Sequence, residues 1–324
     1  MKKIKIGILG TADIAFRRFL PALQNIPAFE YVGVATRTAA KAKKFQDEFG
    51  GSIYEGYDQM ISDDGIDALY IPLPPALHKE YAKKALASGK HVLLEKPFTT
   101  SKKDTEELID LARKQNLAVF ENYMFVYHSQ LQKILQILQE GKLGDLRLVR
   151  CSFGFPFKGA NDFRYNKELG GGALLDCGGY PLKLAGLFLG STVRVVNSEL
   201  HVDPHFSVDT YGSATLCNEN GLTAQISYGM DNAYVCQLEL FGSKGKLTAN
   251  RIFTAPPDME AELALWVNNA TETIRVEKTN QFMRSIQAFY GCIQNPLLRE
   301  EVETAILRQG DLVEQIRDKG RFFQ

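Results

Sequence analysis

The stretch "IKIGILGTADIA", residues 4–15, decides the fold. Ile4–Leu9 is an apolar run of strand length, and Gly10 ends it. Gly10-Thr11-Ala12-Asp13-Ile14-Ala15 then follows the G-x-G-x-x-G/A pattern, with alanine in the second glycine place. A dinucleotide-binding turn needs small residues here, because its backbone must approach a pyrophosphate at the N-terminus of a helix. Any tight strand-to-helix turn favours small residues, so the pattern gains weight from its position: it follows the first strand and opens a helical stretch. Gly10, Thr11, Ala12, Asp13 and Ile14 are therefore candidate cofactor-binding residues, with Ala12 narrowing the room beside the phosphates.

Outward from this turn, Tyr31–Ala35, Ala68–Ile71, His91–Leu94 and Leu117–Phe120 are further short apolar runs separated by helical patterns. Thr38–Phe49 begins at a threonine placed to cap, and Ser101–Gln115 carries Leu108, Leu111 and Ala112 at helical spacing. Such alternation predicts a parallel sheet covered on both faces. After Tyr123 the pattern changes. In "LTAQISYGM", residues 222–230, Leu222, Ala224, Ile226 and Tyr228 share one face and Thr223, Gln225 and Ser227 the other. "CQLELF", residues 236–241, alternates likewise, as do parts of Asp145–Phe153, Val193–Val202 and Glu262–Val267. This predicts an antiparallel sheet with one packed face and one wetter face. Helices are expected over Leu174–Leu189, Asn280–Ile293 and Glu301–Arg317. The expected architecture is an α/β domain over residues 1–122 and an α+β domain over 123–324 with a large, mainly antiparallel open sheet. Two domains suit 324 residues of which 45% are hydrophobic.

Lysine plus arginine, 38, equals aspartate plus glutamate, 38, so the balance gives no support to nonspecific binding of nucleic acid or anionic membrane. Cys151, Cys177, Cys217, Cys236 and Cys292 are odd in number and form no C-x-x-C pair, which reads as reduced thiols in a cytoplasmic protein. Asp13, Arg17 and Arg18 interrupt the N-terminal apolar run too early for a signal peptide, and no run approaches membrane-spanning length. A broad exposed sheet face favours a homodimer or homotetramer.

"LLEKPF", residues 93–98, places Glu95 and Lys96 at the tip of a buried strand, where both are costly, and Pro97 stops the strand. The carboxyl edge of a parallel sheet is where ligands bind. Lys96 there can favour the alkoxide that develops when hydride attacks a carbonyl, and Glu95 can pair with it or hold the cofactor. A plain strand-end salt bridge is the simpler alternative. "VATRT", residues 34–38, lacks the acid that an NAD-selecting site presents to the ribose. Thr36 and Arg37, with Lys41 one turn on, suit a 2′-phosphate, so the expected cofactor is NADP(H), a solvated arginine at a strand end being the simpler alternative. Asp176 and Tyr180 lie four apart in a helical stretch and share a face, with Gly170–Gly172 read as letting that helix approach a cleft. Tyr180 can give a proton to a substrate oxygen, as can Lys96, a ribose hydroxyl or water, the alternative for Tyr180 being a core residue with a satisfied hydroxyl; Asp176 can bond a substrate hydroxyl or orient Lys96. His201, Asp203 and His205 alternate in "HVDPH", but Pro204 breaks the strand and no fourth ligand is evident, so no metal is expected. Phe153, Phe155, Phe157 and Phe163 read as core or pocket wall.

With "GILGTADIA", "LLEKPF" and "GGGALLDCGGYP" in this order, the chain resembles the Gfo/Idh/MocA oxidoreductases along its whole length. "GTADIAFRRFLPAL", "YIPLPPALH", "ENYMFVYH", "DFRYNKELGGGALLDCGGYPLKLAGLFLG" and "NRIFTAPP" are most similar to the tyrosine-bearing branch, and within it to nucleotide-sugar 3-ketoreductases. The resemblance implies a Rossmann domain, NADP(H), a cis Lys96–Pro97 bond and hydride transfer to the 3-keto group of a nucleotide-linked sugar. The alternative within the branch is a dehydrogenase of free sugars or trans-dihydrodiols. The resemblance places Pro72, Leu73, Pro74, His78, Glu95, Lys96, Pro97, Asn122 and Arg164 beside the cofactor; an interface ion pair is the alternative for Arg164, and His78, which follows "PLPP", is read as capping a helix near the adenosine half. It makes Lys96, Tyr180 and Asp176 the catalytic set. Tyr180, Lys183 and Val126 depart from residues common elsewhere in the family, which points away from inositol and simple sugars.

Overall fold

The computed structural model describes residues 2–323. Its contacts divide the chain into two units, one of residues 1–123 with 282–310 and one of 124–281 with 311–324. In the first unit the short apolar runs become parallel strands: β1 (Ile4–Leu9), β2 (Phe29–Thr36), β3 (Ser52–Glu55), β4 (Ala68–Ile71), β5 (His91–Leu94) and β6 (Val119–Glu121). β1, β4 and β5 coincide with the runs read from the sequence. The sheet order is β3-β2-β1-β4-β5-β6, so the direction of strand addition reverses between β1 and β4. The crevice at the carboxyl ends of those two strands is where a sheet of this kind receives its ligand. β3 escaped the sequence reading because it is a four-residue edge strand that stays part-exposed and has no apolar run.

Helix ends show which polar residues work locally. Ser101 Oγ accepts from the Asp104 amide at 3.2 Å and caps helix Lys102–Gln115. Thr38 stands at the N-cap of helix Ala39–Phe49, yet its side chain makes no capping bond.

The chain returns to the first unit at residue 282. Phe289 stacks on Phe29 with ring centroids 6.2 Å apart and meets Phe120 edge-on at 5.9 Å. Arg299 donates to Asn116 Oδ1 at 2.7 Å, and Arg113 Nε donates to Glu303 Oε2 at 2.7 Å. Residues 282–310 thus pack with the first sheet, and the stretch 123–324 read as one domain contributes to both units.

The second unit holds nine strands: β7 (Leu146–Gly154), β8 (Arg194–Asp203), β9 (Val208–Cys217), β10 (Thr223–Gly229), β11 (Val235–Gly242), β12 (Gly245–Asn250), β13 (Ala261–Val267), β14 (Ala270–Val276) and β15 (Gly320–Phe323). Their order is β14-β13-β12-β11-β7-β10-β9-β8-β15, antiparallel except at β7–β10 and β8–β15. The predicted alternation holds: Ala224, Ile226 and Tyr228 of β10 are buried, and helix Gly179–Leu189 packs against β7 and β10. The other face carries Arg150 and Lys246, both paired with Glu239 and both over the Phe241 ring. Among the described residues no helix is long and apolar enough to cross a membrane.

Glu303 is 3% exposed and Arg113 supplies its cation. Removing one partner leaves a buried carboxylate uncompensated. Arg113→Met should destabilise the protein by about 2–4 kcal/mol, the half-exposed arginine keeping the loss below that of a fully buried pair. Urea unfolding of both proteins measures it.

Candidate active site

The turn after β1 is built as the motif requires. Gly10 has φ +107°, and a Cβ there would sit 2.8 Å from Leu73 Cδ2. Its amide bonds the Ala35 carbonyl at 2.9 Å, anchoring the turn to β2. The Ala15 and Phe16 amides turn back to the Ala12 carbonyl, so a helix opens inside the motif. Asp13 is exposed and pairs with Arg17 one turn on. Gly10 and Leu73, picked out separately in the sequence, therefore touch.

At the end of β5 the polar residues form a connected group. Glu95 Oε1 accepts from the Tyr70 hydroxyl at 2.6 Å and from Asn122 Nδ2 at 2.7 Å. Asn122 is 1% exposed, and its Oδ1 accepts from Ser285 Oγ at 2.6 Å. Burial pushes the Glu95 carboxyl above the usual carboxylate range, against the pull of Tyr70, Asn122 and the Lys96 charge. The Lys96–Pro97 peptide is cis. The Phe98 amide just after it donates to Glu121 Oε1 at 2.9 Å, which pins the turn to β6.

His78 is the C-cap of the 3-10 turn Pro75–Leu77 through its backbone, but it does not cap the helix that follows. It is the first residue of helix His78–Ala87 and is fully buried, with Nε2 2.7 Å from the Leu73 carbonyl and Nδ1 2.8 Å from the Pro97 carbonyl. The ring ties the segment Pro72, Leu73, Pro74 to the Lys96–Pro97 turn. Burial lowers its pKa, and the Lys96 charge adds to that.

At the end of β2 the Thr36 hydroxyl is spent locally: it donates to the Thr38 carbonyl at 3.2 Å and accepts from the Thr38 amide at 3.1 Å. Arg37 and Lys41 are exposed. The cationic half of the "VATRT" reading is thus presented to solvent, and the threonine shapes the turn.

In the second unit Arg164 and Asp176 meet. Arg164 Nε donates to Asp176 Oδ2 at 2.7 Å and Nη1 to Asp162 Oδ1 at 3.0 Å, with the guanidinium over the Phe163 ring. Asp176 lies in a π turn, Leu174–Gly178, that runs into helix Gly179–Leu189. Four residues are close to one turn of either helix type, so Asp176 and Tyr180 keep a common face. Tyr180 is 6% exposed, its ring set among Phe125, Phe153 and Phe253 and its hydroxyl 3.9 Å from Met124 Sδ. The glycines before this helix serve contacts inside the unit: a Cβ on Gly171 would come to 2.4 Å from the Arg164 carbonyl, and one on Gly172 to 2.4 Å from Asp209 Oδ1. His201 stacks on Tyr211, and Asp203 Oδ1 accepts from the His205 and Phe206 amides. Among the described residues no three His, Cys, Asp or Glu side chains are grouped to hold a metal.

Sequence reasoning missed Tyr70, Ser285, Glu121, Asp162 and Asp209. Tyr70 alone had a local signal, a phenol in an otherwise aliphatic parallel strand that must find a partner for its hydroxyl.

Comparison with known proteins gives a consistent result. A family profile described as "Oxidoreductase family, NAD-binding Rossmann fold" matches residues 4–123, and a "GFO/IDH/MocA C-terminal domain" profile matches residues 131–248. The chain is 40% identical over 318 residues to a dTDP-3,4-didehydro-2,6-dideoxy-alpha-D-glucose 3-reductase from Actinomadura kijaniata, covering 98% of this chain and 96% of that protein. The enzyme of the same name from Streptomyces violaceoruber is also 40% identical, with 98% and 95% covered. The crystal structure of a 3-ketoreductase from Actinomadura kijaniata in complex with NADP and TDP-benzene superposes with a TM-score of 0.96 at 39% identity, covering 99% of both chains.

Glu95→Gln keeps an acceptor oxygen for Tyr70 and Asn122 and removes the charge. A carboxyl whose folded pKa is raised costs stability as pH rises through the window above its usual value. The variant should therefore melt higher than the wild type at pH above the ordinary carboxylate range, and the gain should vanish below that range, where the carboxyl is protonated folded and unfolded alike. Calorimetric melting across pH reads this directly.

Proposed function

This chain belongs to the Gfo/Idh/MocA oxidoreductase family, and from that premise we propose that it uses NADPH to reduce the 3-keto group of a nucleotide-linked deoxy sugar. One combined observation carries the reading. The chain is 40% identical, over 98% of its length, to a reductase of a dTDP-linked 3-keto sugar, and its Lys96 stands at the carboxyl end of β5. The first unit fits the cofactor: the Gly10 turn leads from β1 straight into a helix start, and the end of β2 presents Arg37 and Lys41 with no acid between them. When bound, NADPH supplies the hydride that adds to the carbonyl carbon.

The residues supply the remainder. Lys96 places an ammonium charge where the carbonyl oxygen becomes an alkoxide, an interaction stronger in the transition state than in the ground state. Tyr180 gives the alkoxide its proton, which completes the alcohol. Asp176, braced by Arg164, accepts from the sugar hydroxyls and fixes the ring's presentation. Glu95, bonded to Tyr70 and Asn122, and His78, bonded to the Pro97 carbonyl, hold the turn that carries Lys96. The reading extends to a homodimer or homotetramer in the cytoplasm: Tyr211, Trp266, Phe322 and Phe323 are 45–59% exposed on strands of the second sheet, apolar area that a second copy would cover.

A panel of 3-keto sugars, free and dTDP-linked, assayed by NADPH oxidation tests the function. The dTDP-linked ketone should turn over well above its free counterpart, and Lys96→Ala should lower kcat about 100-fold or more with the fold intact. Tyr180→Phe should cost less, because Lys96 or water can also deliver the proton. Equal turnover of free and linked sugars overturns the nucleotide assignment, and a folded Lys96→Ala enzyme with normal kcat overturns the role of the lysine.

Cofactor choice is tested separately by fluorescence titration. Solvent-exposed cations at a 2′-phosphate give NADPH an advantage of about 10–100-fold over NADH, and the gap should narrow as salt rises. Arg37→Ala should weaken NADPH much more than NADH. Equal loss of both would show that Arg37 does not read the phosphate.

A further inference from the structure

The helix bearing Asp176 and Tyr180 begins with Ala173 at its N-cap, a residue with no side chain to offer the open amides, and no side-chain capping bond is made from that position. The acceptor comes from elsewhere in the unit. Asp209, second residue of β9 and 35 positions away, takes the Leu174 amide onto Oδ2 at 2.6 Å. Room for its carboxylate exists only because Gly172 lacks a Cβ, which would stand 2.4 Å from Oδ1 at a backbone φ of +117°. The Gly172 carbonyl in turn accepts the Asp176 amide at 3.1 Å. Behind the same turn, Gly178 lies flat on the Tyr228 ring, its missing Cβ 3.0 Å from that ring.

We propose that Asp209 is a positioning residue for the reaction, its carboxylate fixing through Leu174 and Gly172 the first turn of the helix that presents Asp176 and Tyr180. The titratable or charged groups acting on it from the packed elements are Tyr228 of β10 and Arg317 of helix Pro296–Asp318. Burial pushes its carboxyl up to about 6, against the pull of the Leu174 amide and Arg317. Above that pH it is a charged acceptor at a helix start, the strong form of a cap; below it the carboxyl is neutral and the cap weakens. The positioning is therefore pH-dependent around pH 6.

The activity test rests on the reductase reading; a second readout does not. Asp209→Asn keeps an acceptor oxygen and loses the charge. With the dTDP-linked ketone its kcat should be about fivefold lower, the loss expected from a weakened cap. The KM for NADPH should not change. The wild-type kcat should fall as pH drops through about 6, and the variant should lack that acid limb. Gly172→Ala attacks the same contact from the other side, pushing the carboxylate off while retaining it, and should lower kcat comparably. Hydrogen exchange at Leu174 in the unliganded protein, which needs no substrate, should quicken in Asp209→Asn. An Asp209→Asn enzyme with wild-type kcat and an unchanged acid limb, or with unchanged exchange at Leu174, overturns the proposal. If the wild type reduces no keto sugar, the reductase reading falls, and the exchange result still decides the role of Asp209.

Discussion

A carboxylate at the tip of a buried strand must be hydrogen-bonded or the strand cannot end there. Much of the first unit follows from meeting that demand at Glu95. β5 delivers the carboxylate, β4 supplies the Tyr70 hydroxyl, and the residue after β6 supplies the Asn122 amide. Asn122 then needs a donor for its own oxygen and finds Ser285, 163 positions along the chain. A polar requirement at one strand end thus recruits two neighbouring strands and a helix that follows eight of the nine strands of the second sheet along the chain. The aromatic contacts of Phe289 with Phe29 and Phe120 supply the apolar part of the same attachment.

The second unit meets its polar demands in the same way. Asp176 lies in a helix start that its own neighbours cannot satisfy, so Arg164 and Asp209 reach it from outside: the arginine bonds the carboxylate, and the second aspartate bonds the backbone two residues earlier. Gly171 and Gly172 are the steric condition for both approaches, since a side chain at either would collide with a backbone or carboxylate oxygen at 2.4 Å. The triple glycine in the sequence therefore marks crowding around a helix start. Reading it as clearance toward a cleft misplaces the contact.

What the sequence disclosed and what it withheld divide along physical lines. β1, β4 and β5 were legible because a doubly buried strand is an apolar run with clear ends, and the faces of β10 and β11 because a half-buried strand alternates. β3 was not, being an edge that buries little. The chemical types at the site were legible too: a lysine and a glutamate after a buried strand, an arginine where an acid is customary. Their partners were not. Tyr70, Ser285 and Asp209 are fixed by tertiary proximity across 25, 163 and 35 positions, and nothing in a local pattern encodes such a pairing. His78 shows the middle case: its place after "PLPP" drew attention, but only the folded chain shows that its ring bridges two carbonyls rather than capping a helix.

Arg164 illustrates why a residue's charge and its electrostatic effect must be kept apart. Read from the sequence, Arg164 is either a residue beside the cofactor or half of an ion pair. In the folded unit its guanidinium faces Asp162 and Asp176 at once, one positive charge against two negative ones. The trio presents a net negative charge, so a phosphate approaching it meets carboxylates as well as the cation. The arginine's gain comes from the fork geometry, which lets two acceptors be held in one plane. Lysine at position 164 would keep the charge and lose that planarity. The cations at the end of β2 differ in kind, because Arg37 and Lys41 have no acid between them and stand in solvent. The fixed orientation of Asp176 therefore belongs with Arg164, while Arg37 and Lys41 stay exposed at the end of β2.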